Sequence, residues 1–500
     1  MNLFSNFSYW INRKFFNLKT RWINFWSSKE LVKKLIFTLF LLTIYIIATT
    51  IPSPFIKIKN SELIEQDAFF NTLNLVGGGG LRNFSLMALG ISPFINASLI
   101  MSLLQTRLFP AVQKLSQSGP EGRRKLNVIT RILTLIIAYP QAILLTQSLS
   151  AGGGSALIEI IPIPGLQNDA LLVYFLIPMI LIGGSLFALF LGEQITNKGI
   201  GNGTSLIIMV GIAFQLPAQF QGAFNYFVSL NDNTALFVGA LKFLTYLFVY
   251  CVLIFIIAMV YNAERHIPIQ QIGAGRSKNI KEMGKLPIKA NPGGIMPIIF
   301  ATMLISLPLM IARILPDANV AKQWINENLQ FTKPLGLTLL AVITFFFSFI
   351  MGLQQSRVDK IAEDFAKNST FIPGIQPGEQ TEDYLIGIVM RLSLFSGFYL
   401  VFLATFQYLQ IIILNFPQII AFGGTGLMIL VSVALETIQQ YQARKKTNQM
   451  ANLKRQSRAM SELIAEEKNS RKFDNDLFWN KNKNKTKKSN DKNNGDGILW

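Results

Sequence analysis

Two residue types that often carry chemistry occur once each in this chain, Cys251 and His266. A thiolate nucleophile needs an imidazole or another cation beside it. Cys251 stands inside an apolar run and His266 in a basic segment, so the pattern predicts a packed thiol and a solvated imidazole, not a dyad. A zinc site needs clustered Cys, His or carboxylate ligands, and one thiol cannot form a disulfide within the chain. The glycine runs at 77–80 and 152–154 lack the Lys-Ser/Thr ending of a nucleotide-binding loop. The chain is therefore not read as an enzyme, no cofactor or metal is expected, and any work it performs must draw on the energy of partners.

The residues with a telling arrangement are apolar. "GISPFI" at 90–95 returns 204 positions later as "GIMPII" at 294–299. Gly and Pro both interrupt helices, yet each copy opens a long hydrophobic run. Ile91, Ile95 and Ile299 stand just after these breaks. Ile208 and Ile429 stand in similar places after "GNGTS" at 201–205 and "GGTG" at 423–426. A narrow collar of branched apolar side chains expels water and sets a dewetting barrier to ions. It also offers no hydrogen bond that would hold a passing polypeptide. Taken singly, each isoleucine reads more readily as a lipid-facing or packing residue; position just after a break is what distinguishes them.

What must position them is a set of membrane helices. Over 500 residues the chain is 51% hydrophobic and 15% charged, with a mean hydropathy of +0.38. Its apolar residues come in blocks of about 20, the length that crosses roughly 30 Å of hydrocarbon. Ten spans are predicted, at about 34–52, 85–104, 128–147, 171–191, 204–217, 235–261, 294–312, 336–353, 386–407 and 422–440. The segment 1–33 is basic and aromatic-rich, unlike a cleaved signal. Of the 46 Lys and Arg residues, all but Lys57, Lys59, Arg82, Lys242, Arg313, Lys322 and Lys333 fall on one side of this stack. Basic residues gather on the cytoplasmic face, which places both termini there. Lys242, near a span end, can snorkel.

If spans one to five (34–217) and six to ten (218–442) are related repeats, an odd number per half inverts the second copy. Interrupted helices at corresponding places in inverted halves mark a functional site near the midplane. The spans are almost free of ionisable residues, whereas an ion-coupled transporter carries them along its route. A secondary transporter with inverted repeats is the rival reading; a non-transporting insertase or scaffold is a third.

Six stretches, "ALGISPFINASLI", "GPEGRRKLNVITR", "LGEQITNKGIGNGTSLII", "LPIKANPGGIMPIIFA", "FIPGIQPGEQT" and "FGGTGLMILV", resemble SecY, the family of central subunits of the bacterial protein-conducting channel. The resemblance runs in order over about residues 30 to 442. It implies an all-α polytopic membrane protein of ten transmembrane helices in two inverted five-helix halves, clamped around an hourglass pore in the plasma membrane. Unfolded polypeptides would cross it, and membrane proteins would leave it sideways. Carried over by motif, the pore ring falls on Ile91, Ile95, Thr204, Ile208, Ile299 and Ile429. Thr204 departs from the family, which usually has an apolar residue there.

The resemblance also implies a plug over 71–84, including Leu73, Leu75, Val76, Gly77, Gly78, Gly79 and Gly80, whose glycines would let it shift aside readily. A simple flexible outer loop is the bland alternative. A lateral gate is implied between spans two and seven, with Asn96 and Asn291 as candidates to hydrogen-bond across it. The cytoplasmic loops at 262–290 and 354–385 would meet the ribosome or the motor ATPase SecA through Arg276, Lys278, Lys281 and Arg357. Ungapped alignment puts Asp359 at the family's arginine, so Arg357 takes that role two places away. Further partners implied are SecE, SecG, signal-peptide-bearing clients and membrane lipids. The tail 443–500 carries 15 basic and 7 acidic residues from Arg444 onward and reads as disordered and attracted to RNA or lipid.

Overall fold

A computed structural model describes residues 29–58, 74, 77–105, 109–150, 158–161, 169–228, 233–271, 284–316, 319–418 and 420–490. The helices are α1 (Lys29–Thr50), α2 (Ser92–Leu104), α3 (Pro110–Gln117), α4 (Gly119–Ser150), α5 (Ile177–Lys198), α6 (Gly203–Phe227) and α7 (Asn233–Asn262). They continue as α8 (Met296–Ile314), α9 (Val320–Asn328), α10 (Pro334–Ser356), α11 (Val358–Lys367), α12 (Glu379–Leu414) and α13 (Gly424–Asn490). A short helical turn, Asp169–Leu171, and a π-helical turn, Leu172–Leu176, lead into α5. Among the described residues, seven helices are long and apolar enough to cross a bilayer alone. Ser92–Leu104 and Met296–Leu309 are shorter apolar helices, and the opening of α13 is the tenth expected span. The 13 residues of α2 rise only about 20 Å, so the non-helical chain before Ser92 must supply the remaining depth.

The repeated hexapeptide explains itself in backbone angles. Gly90 has φ +54° and Gly294 φ +60°, left-handed values that glycine adopts without Cβ strain. Ile91 (φ −91°, ψ 0°) and Ile295 (φ −91°, ψ −15°) then cap α2 and α8, each with Pro in the first two helical positions. Proline costs nothing there, because its missing N–H would have had no helical acceptor. The two breaks are thus one device used twice: a glycine corner, an isoleucine cap and a proline start. The other echo also opens helices, with α6 beginning at Gly203 after an extended Asn202 and α13 at Gly424.

Residues 1–437 and 438–500 form two separate compact units. In the first, one continuous apolar core draws on α1, α2, α4, α5, α6, α7, α8, α10, α12 and the opening of α13. Two strands, β1 (Ile56–Ile58) and β2 (Ile158–Ile160), pair antiparallel with Lys57 opposite Glu159. A second sheet has β3 (Glu264–Gln271) at its centre, flanked by β4 (Gly284–Lys289) and β5 (Thr370–Phe371). In the second unit the tail is helical as far as Asn490. This departs from the disordered reading: Ala, Leu, Met, Gln, Glu, Lys and Arg fill much of 442–468, and all are strong helix formers.

Candidate pore, plug and seam

The five predicted ring isoleucines, Ile91, Ile95, Ile208, Ile299 and Ile429, are all buried, and all belong to the one continuous core. The glycine corners aim them: Ile91 is the cap of α2, and the Ile95 N–H closes the first turn onto its carbonyl at 3.0 Å. The second copy is not a perfect mirror, since Ile295 is only half-buried while Ile299 is buried. Thr204 stands apart. It is half-buried, its hydroxyl donates to Asn202 Oδ1 at 2.9 Å, and its methyl lies beside Gly192 of α5. Its polar atom is thus occupied locally at the start of α6.

Within the predicted plug, Leu73, Leu75 and Val76 lie outside the described residues. Those described are held firmly. Asn74 is buried; its side-chain oxygen accepts from the Leu81 N–H at 3.0 Å and its carbonyl from Gly79 N–H at 2.9 Å. The glycines act chiefly through close approach. A Cβ on Gly211 of α6 would meet the Gly78 backbone at 2.3 Å, and one on Gly90 would meet the Gly77 carbonyl at 1.6 Å. The buried Tyr45 of α1 donates its hydroxyl to the Gly78 carbonyl at 3.0 Å, with Gly77 O at 3.4 Å. Sequence reasoning missed Tyr45; a tyrosine within an otherwise aliphatic span was the available signal, because a buried phenol usually finds an acceptor.

α2 and α8 are in contact, as are α4 and α8, so the seam expected between spans two and seven exists as a packed boundary. No hydrogen bond joins Asn96 to Asn291. Asn291 is used within its own half: it accepts from Ser396 Oγ at 2.7 Å and donates to Gly294 O at 3.1 Å, and Ser396 pairs with Ser348 at 3.1 Å. Asn96, half-buried on α2, is not brought to it. The tie between the halves is made elsewhere, by Gln354 Nε2 at the end of α10 donating to the Ser102 carbonyl of α2. Gln141 Nε2 of α4 steadies the α2 start by donating to Ser92 Oγ at 2.9 Å. Glutamines inside apolar runs were the legible clue, since a polar amide in hydrocarbon needs a partner.

The two loops predicted to dock partners are one folded body. β3 pairs with β4 within the first loop and with β5 of the second. Beneath them Ile267, Ile288, Val358, Ile372, Leu385, Ile388 and Val389 form a separate apolar cluster. Arg357 is exposed at a left-handed corner (φ +42°) that ends α10 and starts α11. Arg276, Lys278 and Lys281 lie outside the described residues. Cys251, expected to be packed, is exposed on α7, because it shares the face that carries the exposed Phe248 and Phe255. His266 is exposed on β3.

Helices broken in matching places, a core without charge and paired extramembrane loops define a multi-pass membrane protein of the pore-forming class. A profile of the SecY family matches residues 85–438. The protein translocase subunit SecY of Mycoplasma capricolum is 36% identical over 430 residues, covering 84% of this chain and 88% of that one. A solved structure described as a protein-conducting channel superposes with a TM-score of 0.58 at 19% identity, over 82% of this chain and 92% of the other. Sec61 from a canine ribosome–channel complex gives a TM-score of 0.55 at 20% identity, over 82% and 92%. The chain belongs to the SecY family; it is a protein-translocation channel and not an enzyme.

Proposed function

We propose that the resting channel is closed by a collar of Ile91, Ile95, Ile208, Ile299 and Ile429, with Thr204 at its margin, and backed by the plug around 71–84. One observation carries this reading: the two glycine corners of like geometry, Gly90 and Gly294, both precede isoleucines that end in one buried core. Such a collar excludes ions by dewetting while letting a polypeptide of arbitrary sequence slide. The α2–α8 boundary is the lateral gate through which apolar segments enter the bilayer. The joined loops at 262–290 and 354–385 face the cytoplasm, as do both termini, and receive the ribosome or SecA; SecE and SecG complete the complex. Signal-peptide-bearing chains are the clients. Support for the ribosome comes from the Sec61 likeness, and for the motor from the absence of a nucleotide-binding loop in this sequence.

The test is planar-bilayer conductance of the purified complex carrying Ile95→Gly and Ile299→Gly together, with the exposed Ile100→Gly as control. The double variant should leak ions at rest and still translocate protein. A silent double variant that still translocates would make these isoleucines ordinary packing residues. The transporter reading is disfavoured by the interior itself: among the described residues, no Asp, Glu, Lys, Arg or His is buried.

A further inference from the structure

A cleft of about 650 Å³ opens among α6, α7 and α12 and the chain leading into α13; none of the ring isoleucines lines it. Its lining is mostly apolar, with a few polar groups. On α7, Lys242 and Thr245 precede Val249 by one to two turns; on α12, Gln410 lies one turn from the helix end and Phe406 a turn further in. Apolar residues lie deeper than these, at Val249 and Phe406, and also on the helix-end side, at Leu241, Leu414 and Phe416.

The polar groups are unequally occupied. Thr245 donates to the Leu241 carbonyl and Tyr246 to the Ile420 carbonyl, each at 2.9 Å. Lys242 is an exposed ammonium with no ion pair or hydrogen bond among the described residues. Gln410 is only 6% exposed, and its Oε1 has no donor there either, while Nε2 reaches Phe422 O at 3.5 Å. An unpaired cation and a buried acceptor without a donor sit above an apolar floor. That combination calls for a ligand with an anion, a hydroxyl and a hydrocarbon chain.

We propose that this cleft is a binding site for a single anionic glycerophospholipid with a hydroxylated headgroup, taken from the leaflet it opens to. Its phosphate pairs with Lys242, a headgroup hydroxyl donates to Gln410, and an acyl chain lies along Tyr246, Val249 and Phe406. A free phosphate would leave the floor unused, and an apolar transmembrane helix would leave Lys242 unpaired.

The test uses the full chain, purified with its accompanying subunits and passed through nanodiscs of mixed phosphatidylglycerol, phosphatidic acid and phosphatidylcholine. Retained lipid is read by native mass spectrometry. Wild type should keep phosphatidylglycerol preferentially, and Lys242→Gln should lose about tenfold of that preference, the worth of one charge-assisted bond. Gln410→Leu should still keep phosphatidic acid but no longer favour phosphatidylglycerol over it. Lys333→Gln, removing a cation outside the cleft, should change nothing. Equal retention in wild type and the Lys242 variant would overturn the proposal. So would a photoreactive group at Val249 that captures only protein. Preserved translocation by both variants would show that they fold, and that the lipid site fails or stands independently of the channel reading.

Discussion

The hydroxyl of Tyr45 lies 3.0 Å from the carbonyl oxygen of Gly78, joining the first membrane helix to the glycine turn of the proposed plug. The same hydroxyl would lie 2.3 Å from a Cβ on Gly78, whose φ of +91° already excludes most side chains. This one contact therefore fixes both where the turn sits and which residue can occupy it.

Removing that hydroxyl should loosen the plug without removing the ring's packing. Tyr45→Phe keeps the aromatic body and is expected to cost about 1 kcal/mol, roughly a fivefold increase in the open population. Brief resting openings in single-channel recordings should become correspondingly more frequent. An unchanged opening frequency would reduce Tyr45 to a packing residue.

The two glycine corners should respond differently to the same substitution. Both pay left-handed strain of about 1–2 kcal/mol as alanine. At Gly294 the new methyl meets nothing closer than Gln355 Oε1 at 3.9 Å, whereas at Gly90 it would strike the Gly77 carbonyl at 1.6 Å. Gly294→Ala should yield a stable complex with a modest drop in melting temperature, and Gly90→Ala should displace the plug or fail to assemble. Equal losses in the two variants would show that the corners matter only through φ.

Orientation can be read chemically. With Cys251→Ser removing the exposed native thiol, cysteines at the exposed positions His266 and Asn368 should be shielded from an impermeant thiol reagent in intact cells and react after lysis. Labelling from outside would invert the proposed topology.

Because β5 completes the sheet begun by β3 and β4, damage to one loop should be felt in the other. Reversing Arg276, Lys278 and Lys281 to Glu should weaken ribosome or SecA association, most clearly at low salt. Ile372→Asp, a charge in the shared apolar cluster, should weaken the same association without touching the basic residues. If only the charge reversals matter, the sheet is not what presents them.

The spans were legible because hydrophobic length is a local property, and the breaks were legible because Gly and Pro act on their own backbone. The repeated hexapeptide pointed to three buried isoleucines, Ile91, Ile95 and Ile299, and the second echo to two more, Ile208 and Ile429. Partners across space were not legible. Asn96 lies on α2 and Asn291 in the chain just before α8, but Ser396 reaches Asn291 first, and α2 is tied instead to α10 through Ser102 and Gln354. Nothing in the sequence around Thr370 announces that a two-residue strand will pair with Gln270 and Gln271. The glycine run was read for mobility, whereas Gly78 also serves contact, its partner Gly211 standing 133 positions away. In the tail the Asn and Lys content drew attention away from the helix formers within 442–468.

The joined loops have a mechanical consequence. β3 follows α7 directly and β4 precedes α8, while α11 follows α10 and β5 precedes α12. A load placed on either hairpin is therefore divided among the ends of four membrane helices. The sheet is thus a yoke on four helices, and the expected consequence of a partner seated on it is a load shared by α8 with α7, α10 and α12.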